Sequence, residues 1–75
     1  MKKYFECSTT KESFIDDITK MLDNYKLKWS YRYNYLSEMY TFRIYTSDKI
    51  IKEIVIKYFI IINMLPDILE KRNTL

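Results

Sequence analysis

The residues of this sequence best suited to chemistry are the basic and aromatic side chains of the segment KLKWSYRYNY, which runs from Lys26 to Tyr35. Aromatic or aliphatic residues occupy every second position, with lysine, serine, arginine and asparagine between them. Aromatic rings stack on bases while Lys and Arg pair with phosphates, so this surface suits single-stranded nucleic acid. The same alternation is typical of a half-buried strand whose polar side is only solvated. The segment therefore predicts a strand and leaves nucleic-acid binding as one of two interpretations.

The candidate nucleic-acid surface is the polar side of that strand and of the strand predicted after it. If Trp29, Tyr31 and Tyr33 face the helices and form the core, the opposite side is exposed. It then carries the candidate binding residues, with Tyr4 beside them: Lys26, Lys28, Arg32, Arg43 and Tyr45. The chain contains no sheet-borne RNA-binding signature.

Most catalytic arrangements are excluded by composition. The chain has no histidine, so it lacks Ser/His and Cys/His nucleophile pairs and imidazole metal ligands, and it has no glycine for a phosphate-binding loop. The neighbouring Glu6 disfavours a nucleophilic Cys7, because thiolates form beside positive charge. We interpret Cys7 as a small apolar strand residue, and we expect no enzymatic activity and no cofactor.

The acidic side chains of the first predicted helix could be read as a metal site or as a docking patch. Asp16 and Asp17 are consecutive, and consecutive helical residues point about 100° apart, so they do not converge on one ion. A solvated helix face is the simpler interpretation. A patch that docks a basic protein partner stays open, with three candidate residues: Asp16, Asp17 and Asp23.

The length of 75 residues predicts a single domain, 1–75, near the lower limit for one hydrophobic core. Cys7 is the sole cysteine, so no internal disulfide can add stability, whereas a partner chain could. The longest uncharged apolar run, residues 58–66, is too short for a membrane span of roughly 20 residues. We expect a cytoplasmic protein that does not contact membranes.

Periodicity predicts the first two elements. Residues Met1 to Ser8 alternate as in a half-buried strand. Thr9 followed by Glu12 predicts a capping box at the start of a helix. The apolar face of that helix comprises Phe14, Ile15, Ile18, Met21, Leu22 and Tyr25.

The aromatic strand and the run from Met39 to Thr46 predict an antiparallel hairpin with a turn near Leu36 to Glu38. Without glycine, tight two-residue turns are disfavoured, so we expect a loop of about three to five residues.

The run from Lys49 to Leu65 fits a helix or an isoleucine-rich strand, and we favour the helix. Pro66 should end or kink it, leaving Asp67 to Arg72 as a short final turn. The inward stripe of this helix would comprise Ile50, Ile51, Ile54, Val55, Tyr58, Ile61, Ile62 and Leu65. An apolar remainder would be exposed and could bind a partner or a second copy: Ile56, Ile60 and in part Phe59.

Together these elements predict an α+β fold of order β-α-β-β-α. It is a two-layer fold, with a three-stranded, mostly antiparallel sheet and both helices on one face.

In its small size, its composition without glycine, alanine, histidine or glutamine, and its lack of catalytic residues, the chain resembles the small inhibitor proteins of bacteriophages and mobile elements, including the anti-CRISPR class. The resemblance implies a stoichiometric inhibitor that blocks the working surface of a host defence protein. Two alternatives stay open: a nucleic-acid-binding protein and a homodimeric regulatory module.

Overall fold

A computed structural model describes residues 3–65 of the chain. A short 3-10 helix, Glu12–Phe14, precedes the first α-helix. The main elements in chain order are β1 (Tyr4–Thr9), α1 (Ile15–Asn24), β2 (Lys28–Asn34), β3 (Met39–Tyr45) and α2 (Lys49–Met64). The strands form one open sheet in the order β1-β3-β2, and both pairings are antiparallel. The predicted α+β fold is confirmed.

The hydrophobic core lies between the sheet and both helices. Phe42 and Ile44 of β3 point toward the helices and are fully buried, as the alternation of that strand predicts. They join one cluster with the buried residues of the helices, which are Ile18, Leu22, Val55, Phe59 and Ile62. Both helices therefore cover the same face of the sheet.

A four-residue loop, residues 35–38, joins β2 to β3, as predicted for a hairpin without glycine. Glu38 adopts the left-handed conformation with φ 56°. The Asn34 side chain closes the loop, because its Oδ1 accepts hydrogen bonds from the backbone N–H groups of Leu36 at 2.9 Å and Ser37 at 3.3 Å. Asn34 thus stabilises the loop through its side chain, while Glu38 takes the positive φ that glycine usually adopts in such loops.

The predicted capping box at the start of α1 is wrong. Thr9 is the last residue of β1 and pairs with Tyr40, so it cannot begin the helix. Its hydroxyl accepts the backbone N–H of Lys11 instead, at 3.1 Å. The Glu12 carboxylate accepts a hydrogen bond from the Tyr40 hydroxyl at 2.9 Å. Thr9 and Glu12 therefore both contact Tyr40 of β3 instead of capping the helix.

The second helix is confirmed, and the strand alternative for this segment is wrong. Asp48 begins the helix, since its Oδ1 accepts hydrogen bonds from the N–H groups of Ile50 at 2.9 Å and Ile51 at 3.1 Å. The predicted stop at Pro66 and the final turn of Asp67 to Arg72 lie outside the described residues.

The inward face of α2 differs from the predicted one. Phe59, predicted to be partly outward, is buried, and its ring centre lies 5.5 Å from that of Phe42. Ile56 is half-buried, whereas Ile60 is exposed as predicted. Three residues of the predicted inward stripe are exposed instead: Ile50, Ile54 and Ile61. Apolar residues occur nearly all round this helix, so the packing of the Phe59 ring against Phe42 favours the observed orientation.

Candidate functional site

Four tyrosines form a continuous aromatic surface on the β2–β3 hairpin, here called the tyrosine surface: Tyr31, Tyr33 and Tyr35, which are exposed, and Tyr40, which is half-buried. Their ring centres are 6.0 Å apart for Tyr31 and Tyr40, 4.7 Å for Tyr33 and Tyr40, and 5.3 Å for Tyr33 and Tyr35. Tyr33 lies directly opposite Tyr40 in the strand register. Tyr35, in the loop, is 85% exposed. Each ring thus supports its neighbour while leaving much of the surface open to a partner.

The tyrosine surface lies on the helix-facing side of the sheet but beyond the cover of the helices. The hydrogen bond between Tyr40 and Glu12 joins β3 to the 3-10 helix that precedes α1. Near the end of α1, Trp29 Nε1 donates a hydrogen bond to Asp23 Oδ1 at 2.9 Å. The Trp29 side chain is half-buried. Tyr31 and Tyr33 lie on the edge strand β2 and are exposed, so the prediction that they form the core with Trp29 is wrong.

Acidic side chains adjoin this aromatic surface. Glu12 and Asp16 line an open groove together with Tyr31 and Tyr40. The hydrogen bond to Glu12 is the main cause of a raised pKa for the Tyr40 hydroxyl, which therefore stays a neutral donor. A carboxylate has about four acceptor positions, so Glu12 can accept further hydrogen bonds. Aromatic faces beside carboxylates are the chemistry that binds guanidinium and ammonium groups.

The three aspartates predicted as a docking patch do not lie together. Asp16 belongs to the groove beside the tyrosine surface. Asp17 lies near Tyr58 of α2, where its charge adds to burial in raising the pKa of the tyrosine hydroxyl. Asp23 accepts the hydrogen bond of Trp29 near the opposite end of α1. Asp16 is the one of the three that this groove brings next to the exposed rings.

The opposite face of the sheet carries Lys28, Arg32 and Arg43, of which Arg43 is paired, whereas Lys26 lies in the turn before β2 with φ 57°. Arg43 Nη2 lies 3.1 Å from Glu6 Oε2, and its guanidinium is 4.5 Å from the ring centre of Tyr4. The hydrogen bond to Glu6 is the main cause of its raised pKa. The other predicted basic residues, Lys26, Lys28 and Arg32, are exposed. Glu6 therefore offsets part of the positive charge of this face.

No protein-family model, curated protein or solved structure matches this chain. The resemblance to small phage inhibitor proteins thus stays a prediction. Neither helix within residues 3–65 has both the length and the apolar character needed to cross a bilayer.

Cys7 lies half-buried on β1 and packs against the core. Burial raises the pKa of its thiol to about 11, although the nearby Lys52 opposes the shift. Near pH 9 the Cys7 thiol therefore stays neutral in the folded chain, whereas in the unfolded chain it ionises. In the part of the chain that the structure describes, no three thiol or carboxylate groups lie close enough together to hold a metal ion.

We expect the rate of iodoacetamide reaction at Cys7 in the folded protein to keep rising toward pH 11, because the thiolate is the reactive form. In the urea-unfolded protein, the reaction rate of the same thiol should level off above its ordinary pKa of 9.0. The same pKa difference makes the stability depend on pH. Below pH 9 the thiol contributes no pH dependence, and between pH 9 and 11 it lowers the free energy of unfolding, because only the unfolded chain loses the proton there. Identical pH profiles for folded and unfolded protein would contradict the burial of Cys7.

Proposed function

We propose that this chain is a small non-enzymatic binding protein, encoded by a phage or mobile element, that inhibits a host defence protein by covering its working surface. The observation that supports the binding role is the tyrosine surface, which the helices leave open. The size and composition of the chain support the origin. We expect it to act in the cytoplasm of the host cell.

Tyrosine suits such a role for energetic reasons. It offers a large amphipathic contact area, and ordering it costs little entropy because it has only two side-chain torsions. Tyr33 and Tyr40 stand on neighbouring strands and contact each other, so part of that ordering has already occurred in the free protein. Aromatic residues are accordingly enriched at protein interfaces.

The partner of this surface is a basic segment of the host protein. Glu12 and Asp16 can pair with Lys or Arg side chains, while Tyr31 and Tyr40 can receive their cations on the ring faces. Proteins that handle nucleic acid carry Lys and Arg along their working surfaces. A chain that pairs with those residues would exclude the substrate at a one-to-one ratio.

The experiment compares two tyrosines of equal exposure. Tyr33 and Tyr25 are each 40% exposed, but Tyr25 lies at the end of α1, outside the tyrosine surface. Immobilised wild type, Tyr33→Ser and Tyr25→Ser are incubated with host lysate, and the captured protein is purified for titration calorimetry. We expect Tyr33→Ser to weaken binding roughly 10- to 30-fold, as for an interface hot spot, and Tyr25→Ser to leave it unchanged.

Two results would contradict the proposal. Equal affinities of Tyr33→Ser and wild type would remove the tyrosine surface from the interface. A complex with several copies of the chain spread along one partner would argue against one-to-one blocking. Far-UV circular dichroism of both variants checks that the hairpin stays folded.

For the nucleic-acid alternative, we expect a short mixed-sequence single-stranded oligonucleotide not to change the scattering mass of the protein at physiological salt. Lys28 and Arg32 supply few phosphate contacts, and Glu6 occupies Arg43. Binding through phosphate contacts falls steeply with salt. A complex at low salt that disappears at high salt, and also on Arg32→Ala substitution, would support the alternative over our proposal.

A further inference from the structure

The second helix exposes a row of side chains that the core does not use, here called the α2 ridge: Ile50, Ile54, Lys57, Ile61 and Met64. Ile50 is 72% exposed and Ile61 is 59% exposed, although both are apolar. The buried face of the helix, centred on Val55 and Ile62, points elsewhere. The four apolar members lie two on either side of Lys57, and exposed apolar residues grouped in this way mark an interaction surface.

The spacing of the α2 ridge indicates what kind of partner covers it. Its members follow one another at alternating intervals of four and three residues. This is the repeat that keeps side chains along the seam between two packed helices. The ridge therefore fits another helix better than a flat surface. Lys57, in the middle of the row, can lay its aliphatic stem along the seam while its ammonium group reaches the edge.

We propose that the α2 ridge pairs, in antiparallel orientation, with the α2 ridge of a second copy of this chain. The charge pattern selects that partner. Glu53 and Lys57 are exposed one turn apart near the middle of the ridge. A twofold axis near residue 55 would place Glu53 of one copy opposite Lys57 of the other, twice over. A parallel pair would instead bring like charges together. The surface is thus complementary to itself, as an isologous dimer requires.

The dimer leaves the tyrosine surfaces free. The second helix packs over β1, whereas the tyrosine surface lies on the hairpin and includes the opposite edge strand, β2. A dimer would therefore present two copies of the tyrosine surface. Two linked surfaces raise the avidity for a partner that is itself a dimer, with one copy of the chain on each partner subunit. The dimer does not depend on the proposed inhibitory function.

The test is the mass of the protein by light scattering coupled to size exclusion, for four chains. We expect the wild type at about twice the chain mass of 9.3 kDa, and Glu53→Lys and Lys57→Glu each at the mass of one chain. An equimolar mixture of these two variants should return to twice the chain mass, because each then meets opposite charges. Lys49→Glu makes the same charge change outside the ridge and should remain a dimer.

The mixture separates pairing between chains from stabilisation within one helix. Mixing cannot repair a defect inside a chain, so a restored mass can arise only from contact between two copies. A wild type with the mass of one chain, or a mixture that stays at the mass of one chain, would overturn the proposal.

Discussion

The variant Phe59→Ala should lose roughly 3–5 kcal/mol of unfolding free energy, whereas Ile60→Ala should change it by less than about 0.5 kcal/mol. Phe59 is 3% exposed and its ring contacts Phe42, while the neighbouring Ile60 is 51% exposed. Truncating Phe59 removes buried area and leaves a cavity beneath the helix. Truncating Ile60 removes area that water already reaches. Urea denaturation followed by circular dichroism measures both changes.

The pair is a sharp test because the total stability is small. Native domains are stable by about 0.05–0.15 kcal/mol per residue, which gives roughly 4–11 kcal/mol for 75 residues. Phe59→Ala should therefore shift the midpoint strongly or prevent folding. Small and nearly equal losses for Phe59→Ala and Ile60→Ala would instead show that α2 packs in the orientation predicted from its sequence, in which neither side chain belongs to the inward stripe.

The observed orientation of α2 could not be predicted, because the helix offers more than one apolar face. Ile50, Ile54 and Ile61 form as regular a stripe as the residues that are actually buried. Periodicity identifies a helix and its possible faces, but the choice between them depends on what the sheet presents. Here β3 presents Phe42, and an aromatic ring from the helix packs against it at 5.5 Å.

The hairpin was predictable because a period of two assigns each strand residue to a side of the sheet. Trp29 and Tyr31 lie on the same side as Phe42, as predicted. How far the helices extend over that side is not encoded in the strand pattern. The alternation of β2 therefore predicted Tyr31 and Tyr33 as core residues, and it did not reveal the tyrosine surface. The signal available was the number of rings, since one short helix beside β2 cannot cover them all.

The start of α1 shows how tertiary pairing overrides a local motif. Thr9 and Glu12 have the spacing of a capping box, yet Thr9 continues β1 and its hydroxyl binds the N–H of Lys11. The sequence contains both options. Extending the ladder opposite Tyr40 adds strand pairing and brings Glu12 within 2.9 Å of the Tyr40 hydroxyl. The failed motif thereby accounts for the acidic residue beside the tyrosine surface.

Replacing Phe42 with alanine should be as severe as the loss of Phe59, at roughly 3–5 kcal/mol. Phe42 is fully buried in the central strand, and its ring neighbours Trp29, Tyr31 and Phe59 at 6.1, 4.9 and 5.5 Å. The fluorescence of Trp29, the single tryptophan, reports unfolding directly during urea titration. The control is Tyr4→Ala, which removes a ring from the opposite face of the sheet. Because Tyr4 is 48% exposed, its loss should lower the free energy of unfolding by less than about 1 kcal/mol.

The conservative variant Phe42→Leu extends this prediction to the tyrosine surface. Leucine refills most of the space, so the loss of stability should be smaller than for alanine and the chain should stay folded. The edge-to-face contact between Phe42 and Tyr31 disappears, however, and such contacts contribute about 0.5–1.5 kcal/mol. A less constrained Tyr31 should then bind the proposed basic partner more weakly in calorimetry. Full partner affinity in a folded Phe42→Leu variant would show that the core does not hold the tyrosine surface in its binding arrangement.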